Sequence, residues 1–225
     1  MFLSGLTNAE VMMILQGILE TIIMVVCSTV LGYVFGLPMG IALAVTDKKG
    51  IRPNAIVYNI LDVTANIIRS VPFLTLLILV IPITKAIVGK SYGSSATIVP
   101  LVISAAPFIA RMIESSIQEV DKGVIEAAQS MGASTFTIIR KVLLVEARTS
   151  LLVGSTIAIG TILGYSAMAG IIGGGGLGAI AIRYGYNRYQ ADIMIITVVI
   201  LVILVQIFQM IGMMISKSLD HRKIN

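Results

Sequence analysis

The sequence predicts an all-α integral membrane protein with five spanning helices, and three observations predict it. Of 225 residues, 57% are hydrophobic and 12% charged, with a mean hydropathy of +1.00. A water-soluble domain is about half apolar and about a quarter charged, so most of the charge that a water-facing surface needs is missing. Several apolar runs reach the roughly 20 residues that cross a hydrocarbon core of about 30 Å. Long runs such as 193–207 show no alternation. Lipid leaves only helices or a closed barrel to satisfy the backbone, and an unalternated run selects the helix.

Taken in order, the spans fall at 11–45, 56–83, 96–117, 147–172 and 193–215, within one transmembrane domain covering 1–225. The first is longer than a single crossing needs. Two spans and a turn would barely fit, so one long helix is expected, bent at Pro38, where a helix hydrogen bond is lost, and stopped by Asp47-Lys48-Lys49-Gly50. Residues 1–10 carry no Lys or Arg and so lack the basic start of a cleaved signal peptide; they read as the retained beginning of the first helix. Basic residues near membrane ends prefer the cytoplasm. An external N-terminus puts ten of the 16 Lys and Arg inside: Lys48, Lys49, Arg52, Lys122, Arg140, Lys141, Arg148, Lys217, Arg222 and Lys223. Four, Lys85, Lys90, Arg183 and Arg188, fall outside, and Arg69 and Arg111 lie within spans. This asymmetry implies a cytoplasmic C-terminus and explains the basic excess without nucleic acid.

Little in the chain suits catalysis. The single histidine, His221, sits in the tail, so a serine nucleophile has no histidine base, although a Ser-Lys pair stays open by composition. No cluster has metal-ligand spacing. The single cysteine, Cys27, lies in the first span, excludes a disulfide within the chain and reads as a buried, inert thiol. Gly173-Gly174-Gly175-Gly176 invites comparison with a phosphate loop, but Leu177 follows where Gly-Lys-Ser/Thr is required. Gly89-Lys90-Ser91 has that ending, yet Thr84 stands where the first glycine belongs. The glycine run therefore reads as a flexible or re-entrant external turn.

Within the spans, Gly32, Gly36 and Gly40 recur every four residues and share one helix face. Such a stripe admits a close neighbour, either inside the subunit or at a subunit seam. Gly160 and Gly164 repeat the spacing, with Gly154 near the same face. Arg111 and Glu114, three apart, are expected to form a structural ion pair. Arg69 has only Asp62 as a sequence-local acid, and otherwise snorkels or pairs with another helix. An arginine at a helix centre costs roughly 2.5–3.5 kcal/mol on insertion scales, which is why these two stand out.

The connection 118–146 is long for a loop between packed elements, and it is not disordered in composition. Glu126-Ala127-Ala128-Gln129-Ser130-Met131 favours helix, Gly132 permits a turn, and Ser134 or Thr135 caps a second helix through Ile138, Ile139 and Val142. Two short amphipathic helices joined at a glycine are predicted on the cytoplasmic surface. Glu126-Ala127-Ala128, then Gly132, then Val142 and Leu144, resembles the EAA loop of ABC importer permeases; the family's closing proline is replaced by Val145. Arg69-Ser70-Val71-Pro72-Phe73, Ala105 to Met112, Arg140 to Leu144, Gly164-Tyr165-Ser166-Ala167-Met168, Gly173 to Gly178 and Arg183-Tyr184-Gly185-Tyr186 extend the likeness to the methionine-uptake branch.

That resemblance implies the five-helix type I importer permease fold, with Glu126, Ala127, Ala128 and Gly132 coupling to a partner. It also implies a homodimer with a pathway at its axis, a cytoplasmic ATPase homodimer that carries the ATP and magnesium, an external substrate-binding lipoprotein and an amino-acid substrate. This chain itself would hold no cofactor and be no enzyme. Met168, among the small residues Ala167, Ala169 and Gly170, is a candidate gate, because a flexible thioether fills or vacates a small gap; ordinary packing is its alternative. Two other classes compete. A secondary carrier usually shows repeated halves, of which none is visible here. A channel needs a filter, for which 173–178 is a weak candidate.

Overall fold

The computed structural model describes residues 7–219; the expectations for His221, Arg222, Lys223 and residues 1–6 lie outside them. Among the described residues every regular element is helical. Helix α1, Asn8–Thr46, is one element that runs through Pro38. It begins in a capping box: the Glu10 N–H donates to Thr7 Oγ1 at 3.3 Å, and the Glu10 carboxylate accepts the Thr7 N–H at 2.8 Å. A tight turn follows, and Asn54 caps α2, Ala55–Ser70, by accepting the Ile56 and Val57 N–H groups, each at 3.1 Å.

The expected second span, 56–83, is not one straight helix. α2 stops at Ser70, and α3, Phe73–Leu79, leaves at 103° to it. Pro72 is the cause: the residue before a proline is pushed out of the helical region, and Val71 sits at φ −79°, ψ 125°. α4, Ile81–Val88, follows almost directly. α5, Ser94–Gln118, is continuous through Pro100 and Pro107. The connection then folds as α6, Lys122–Ser130, α7, Thr135–Ile138, a π-helical turn, Ile139–Leu143, and α8, Leu144–Glu146. α9, Arg148–Ala169, ends in a 3₁₀ turn, Gly170–Ile172. Beyond it come α10, Gly176–Ile180, a π-helical turn, Ala181–Tyr186, and α11, Ala191–Leu219. α1, α5, α11 and α9 with the segment after it are long and apolar enough to cross a membrane, and the bent pair α2–α3 makes a fifth.

The frame of the bundle is α1 against α5. Gly32, Gly36 and Gly40 are buried in this seam. A Cβ on Gly36 would lie 2.7 Å from the Ala106 carbonyl oxygen, and one on Gly40 would lie 2.5 Å from that of Ala110. The stripe thus serves contact inside the subunit, where dispersion over a close backbone approach replaces the hydrophobic effect that lipid cannot supply. The second series does not form one stripe. Gly154 faces Met112, Gly160 faces Gln209 on α11, and Gly164 has nothing within 4 Å of a Cβ.

Outward faces carry Leu15, Leu19, Ile60, Ile67, Val198 and Val202, all exposed. A water-soluble surface avoids such extended apolar area; a lipid-facing one requires it. Cys27 is half-buried, not fully buried as expected, because it sits between the α1–α5 seam and the outward face.

Candidate functional site

Three places bring together the residues that the sequence singles out. The first is the hairpin α6–α7. Asp121 starts it by accepting the Gly123 N–H at 2.7 Å. Glu126 and Ala127 are exposed, whereas Ala128 is buried in the core cluster with Val120, Ile138 and Leu143. The hairpin is therefore seated on the bundle by one face and free on the other. Its turn is a Schellman motif: the Ala133 N–H donates to the Ala128 carbonyl at 3.1 Å and the Gly132 N–H to that of Gln129 at 2.9 Å. Gly132 has φ +75° and nothing within 4 Å of a built Cβ, so the demand for glycine is conformational and not steric crowding. Ser134, and not Thr135, caps the next helix by accepting the Thr137 N–H at 3.3 Å.

Sequence reasoning missed two residues here. Met131 and Phe136 flank the turn with 81% and 71% of their surface exposed. The available signal was two large apolar side chains within two residues of a glycine turn and its capping serine, where no core face continues. Beside the hairpin a cavity of about 620 Å³ opens toward the end of α1, lined by Lys48, Lys49, Lys122, Glu126 and Gln129 among others. Both charge signs thus meet where the first turn and α6 face each other.

The second place is the Arg111 cluster. Arg111 Nη1 donates to Glu114 Oε2 at 2.7 Å, while Nη2 pairs with Asp62 and donates to Asn66 Oδ1 at 3.0 Å. Glu114 also accepts the Tyr58 hydroxyl at 3.3 Å and the Gln118 amide at 3.4 Å. One guanidinium therefore holds a carboxylate from each of α2 and α5, a use that its forked donors suit. Asp62 faces Arg111 and not Arg69, because Asp62 and Asn66, four apart on α2, present one polar face to α5. Among the described residues Arg69 makes no ion pair and is exposed at the end of α2.

The third place is the opposite end of the bundle, around the glycine run. Met168 lies in the last turn of α9 and is 46% exposed. The chain then reverses, and α10 returns along α9: a Cβ on Gly170 would strike the backbone of Gly178, and one on Gly178 would strike that of Ala167. The run is a chain reversal in which glycine permits backbone-to-backbone contact. Phe73 of α3 stacks on Tyr165, with ring centroids 4.4 Å apart and planes 3° from parallel. Two motifs far apart in sequence, around Pro72 and around Met168, meet in that stack.

α1 holds this end through two residues that sequence reasoning missed. Glu20 accepts the Gly176 N–H at 2.8 Å, and Thr21 Oγ1 accepts the Leu177 N–H at 2.9 Å. An acid inside the apolar run of α1 was the signal for Glu20; nothing in the sequence marks Thr21.

This arrangement defines a class: a helical membrane protein with a seated but exposed hairpin at one end and a glycine-rich chain reversal at the other. The family described as binding-protein-dependent transport system inner membrane component matches residues 36–224, and the chain belongs to it. It is 51% identical over 203 residues to the probable D-methionine transport system permease protein MetI of Vibrio cholerae, covering 90% of each chain. It is 44% identical over 180 residues to the methionine import system permease protein MetP of Bacillus subtilis, covering 80% of this chain and 81% of that one. A solved structure titled as inward facing conformations of the MetNI methionine ABC transporter superposes with a TM-score of 0.94 at 44% identity. That match covers 96% of this chain and all of the other. The chain is thus a translocation subunit of an importer.

Proposed function

We propose that the chain is the permease subunit of an ATP-driven methionine importer, acting as a homodimer with its pathway at the dimer axis. The observation that carries this reading is the 0.94 superposition, at 44% identity over nearly the whole chain, on a chain of a methionine ABC transporter. A secondary carrier or channel has no comparable support.

In this reading the glycine-run end and the N-terminus face outward, toward a substrate-binding protein, and the hairpin and C-terminus face the cytoplasm. A homodimeric ATPase there binds ATP and magnesium, and this chain supplies the surface that it moves. Glu126, Ala127 and the exposed Met131 and Phe136 form the contact. Ala128, Ile138 and Leu143 transmit displacement to the bundle because they are packed into its core. A seated lever of this kind needs the left-handed Gly132 to keep its shape. Arg111 and Glu114 act structurally, Met168 lines the gate, and the conformation described is the inward-facing one. A ligand shifts such an equilibrium only by its differential affinity for the two states. A swing from 1:99 to 99:1 takes about 5.5 kcal/mol, within reach of ATP binding to a partner.

The test is uptake of labelled methionine into vesicles carrying this chain with and without its ATPase. Uptake that needs the ATPase and ATP supports the reading; transport by the permease alone overturns it.

A further inference from the structure

We infer that Glu20 and Thr21 form a clasp that positions the gate-bearing segment, holding 170–180 on α1 and keeping the outer end of the pathway shut. The inference rests on the orientation and gate proposed above, and assigns to α1 a part in translocation.

The geometry is specific. Glu20 uses both carboxylate oxygens: Oε2 takes the Gly176 N–H at 2.8 Å and Oε1 takes the Gln16 side-chain amide at 3.1 Å. Thr21 uses both capacities of its hydroxyl, donating to the Gly17 carbonyl at 2.8 Å and accepting from Leu177 N–H at 2.9 Å. The clasp therefore grips two successive backbone donors with side chains that are themselves held from the turn before. The other side of the turn is tied to the start of α5, where the Gly93 N–H donates to the Gly173 carbonyl at 3.0 Å and the Thr97 hydroxyl shares its proton between the carbonyls of Gly174, at 2.9 Å, and Gly93, at 3.0 Å. The chain between these ties has little room. Gly175 and Gly176 have φ +81° and +69°, and a Cβ on either would lie within 2.9 Å of Glu20 Oε2 or 2.6 Å of Thr21 Oγ1.

What the clasp holds is continuous with Met168. The Gly174 N–H donates to the Ala169 carbonyl at 2.9 Å, one residue beyond the gate candidate, and Gly178 lies against Ala167, one residue before it. The segment 174–178 is thus tied to the backbone on both sides of Met168. A cavity of about 450 Å³, lined in part by Glu20, Lys90, Gly175 and Arg183, borders the clasp and gives the segment space to enter on release. An isolated carboxylate in a span is costly; here its cost is offset by a charge-assisted bond to a backbone donor that has no helical partner of its own.

The experiment uses the assembled importer with Cys27→Ser and Met168→Cys, probed in intact cells without substrate by a membrane-impermeant thiol reagent. Adding Glu20→Ala is expected to speed labelling about tenfold or more, the shift from losing one charge-assisted bond. Thr21→Val, which keeps the shape, is expected to speed it less, and Glu20→Gln, whose amide oxygen still accepts the Gly176 N–H but without the charge, to fall between the parent and Glu20→Ala. Labelling in Glu20→Ala and Thr21→Val equal to the parent overturns the clasp, as does Glu20→Gln labelling as fast as Glu20→Ala. Should Glu20→Ala not assemble, Thr21→Val alone decides. A control cysteine at Tyr189, 91% exposed at the same end, tests the orientation separately. Its failure to label in intact cells overturns the importer topology and not the clasp, which is then read by the same reagent in inverted vesicles.

Discussion

The α1–α5 seam and the α6–α7 hairpin both depend on glycine, for opposite reasons. In the seam, Gly36 and Gly40 have ordinary helical backbone and no room: the facing carbonyl oxygens of Ala106 and Ala110 occupy the space that a side chain needs. At the hairpin, Gly132 has all the room it wants and a backbone angle of +75° that other residues resist. The seam is a rigid frame because any added atom separates two long helices. The hairpin is a shaped lever whose glycine can be replaced without a clash but not without strain. The same residue type thus marks a fixed part in one region and a transmitting part in the other, and substitutions should separate the two.

The largest effect is expected in the seam. Gly40→Leu should destabilise by more than the roughly 1–3 kcal/mol usual for overpacking, since backbone and not a flexible side chain stands in the way. Thermal unfolding of the detergent-purified protein measures it, and a transition near the parent's would erase the contrast. Arg111→Ala comes next. It leaves the Asp62 and Glu114 carboxylates together without their cation, and α2 has only Ala65 buried to keep it on the bundle. The cost should fall below the roughly 3–5 kcal/mol of breaking a fully buried pair, because the arginine side chain is 19% exposed.

Gly132→Val is expected to cost only about 1–3 kcal/mol of local strain, leaving yield and assembly near normal while uncoupling ATP hydrolysis from uptake. Gly132→Asn, which tolerates the left-handed region, should recover part of the uptake. Parallel ATPase and uptake assays read this, and unchanged uptake in the valine variant would sink the lever. The smallest effect belongs to Gly164→Ala, which should be neutral or stabilise by about 0.5–1 kcal/mol, since among the described residues no atom outside its own stretch of helix lies within 4 Å of its Cβ. A marked loss there would show that another chain packs on that face.

Much of this architecture was legible beforehand. Long apolar runs place α1, α5, α9 and α11 because lipid leaves the backbone no choice but to bond within itself. Glu126 to Ser134 announces a helix, a glycine turn and a cap through local chemistry alone. The bend at Pro72 was equally local, yet the apolar continuity of 56–83 hides it. Other features were not legible because they are pairings across the fold. Asp62 stands nearer in sequence to Arg69 than to Arg111, and Glu20 lies 156 positions from the amide that it accepts. The exposure of Met131 and Phe136 was signalled locally by the turn beside them, but an apolar residue in a helical pattern is first taken to point inward.

By itself, then, the sequence determined the solvent of this protein, the place of its long apolar helices and the shape of its hairpin. Those follow from hydropathy, length and backbone preference, each a property of a few consecutive residues. Only the tertiary structure decided which helix the Gly32–Gly36–Gly40 face meets, which acids Arg111 binds and what holds the glycine-rich reversal in place. Those are matters of distance between residues far apart in the chain, and no local preference encodes them.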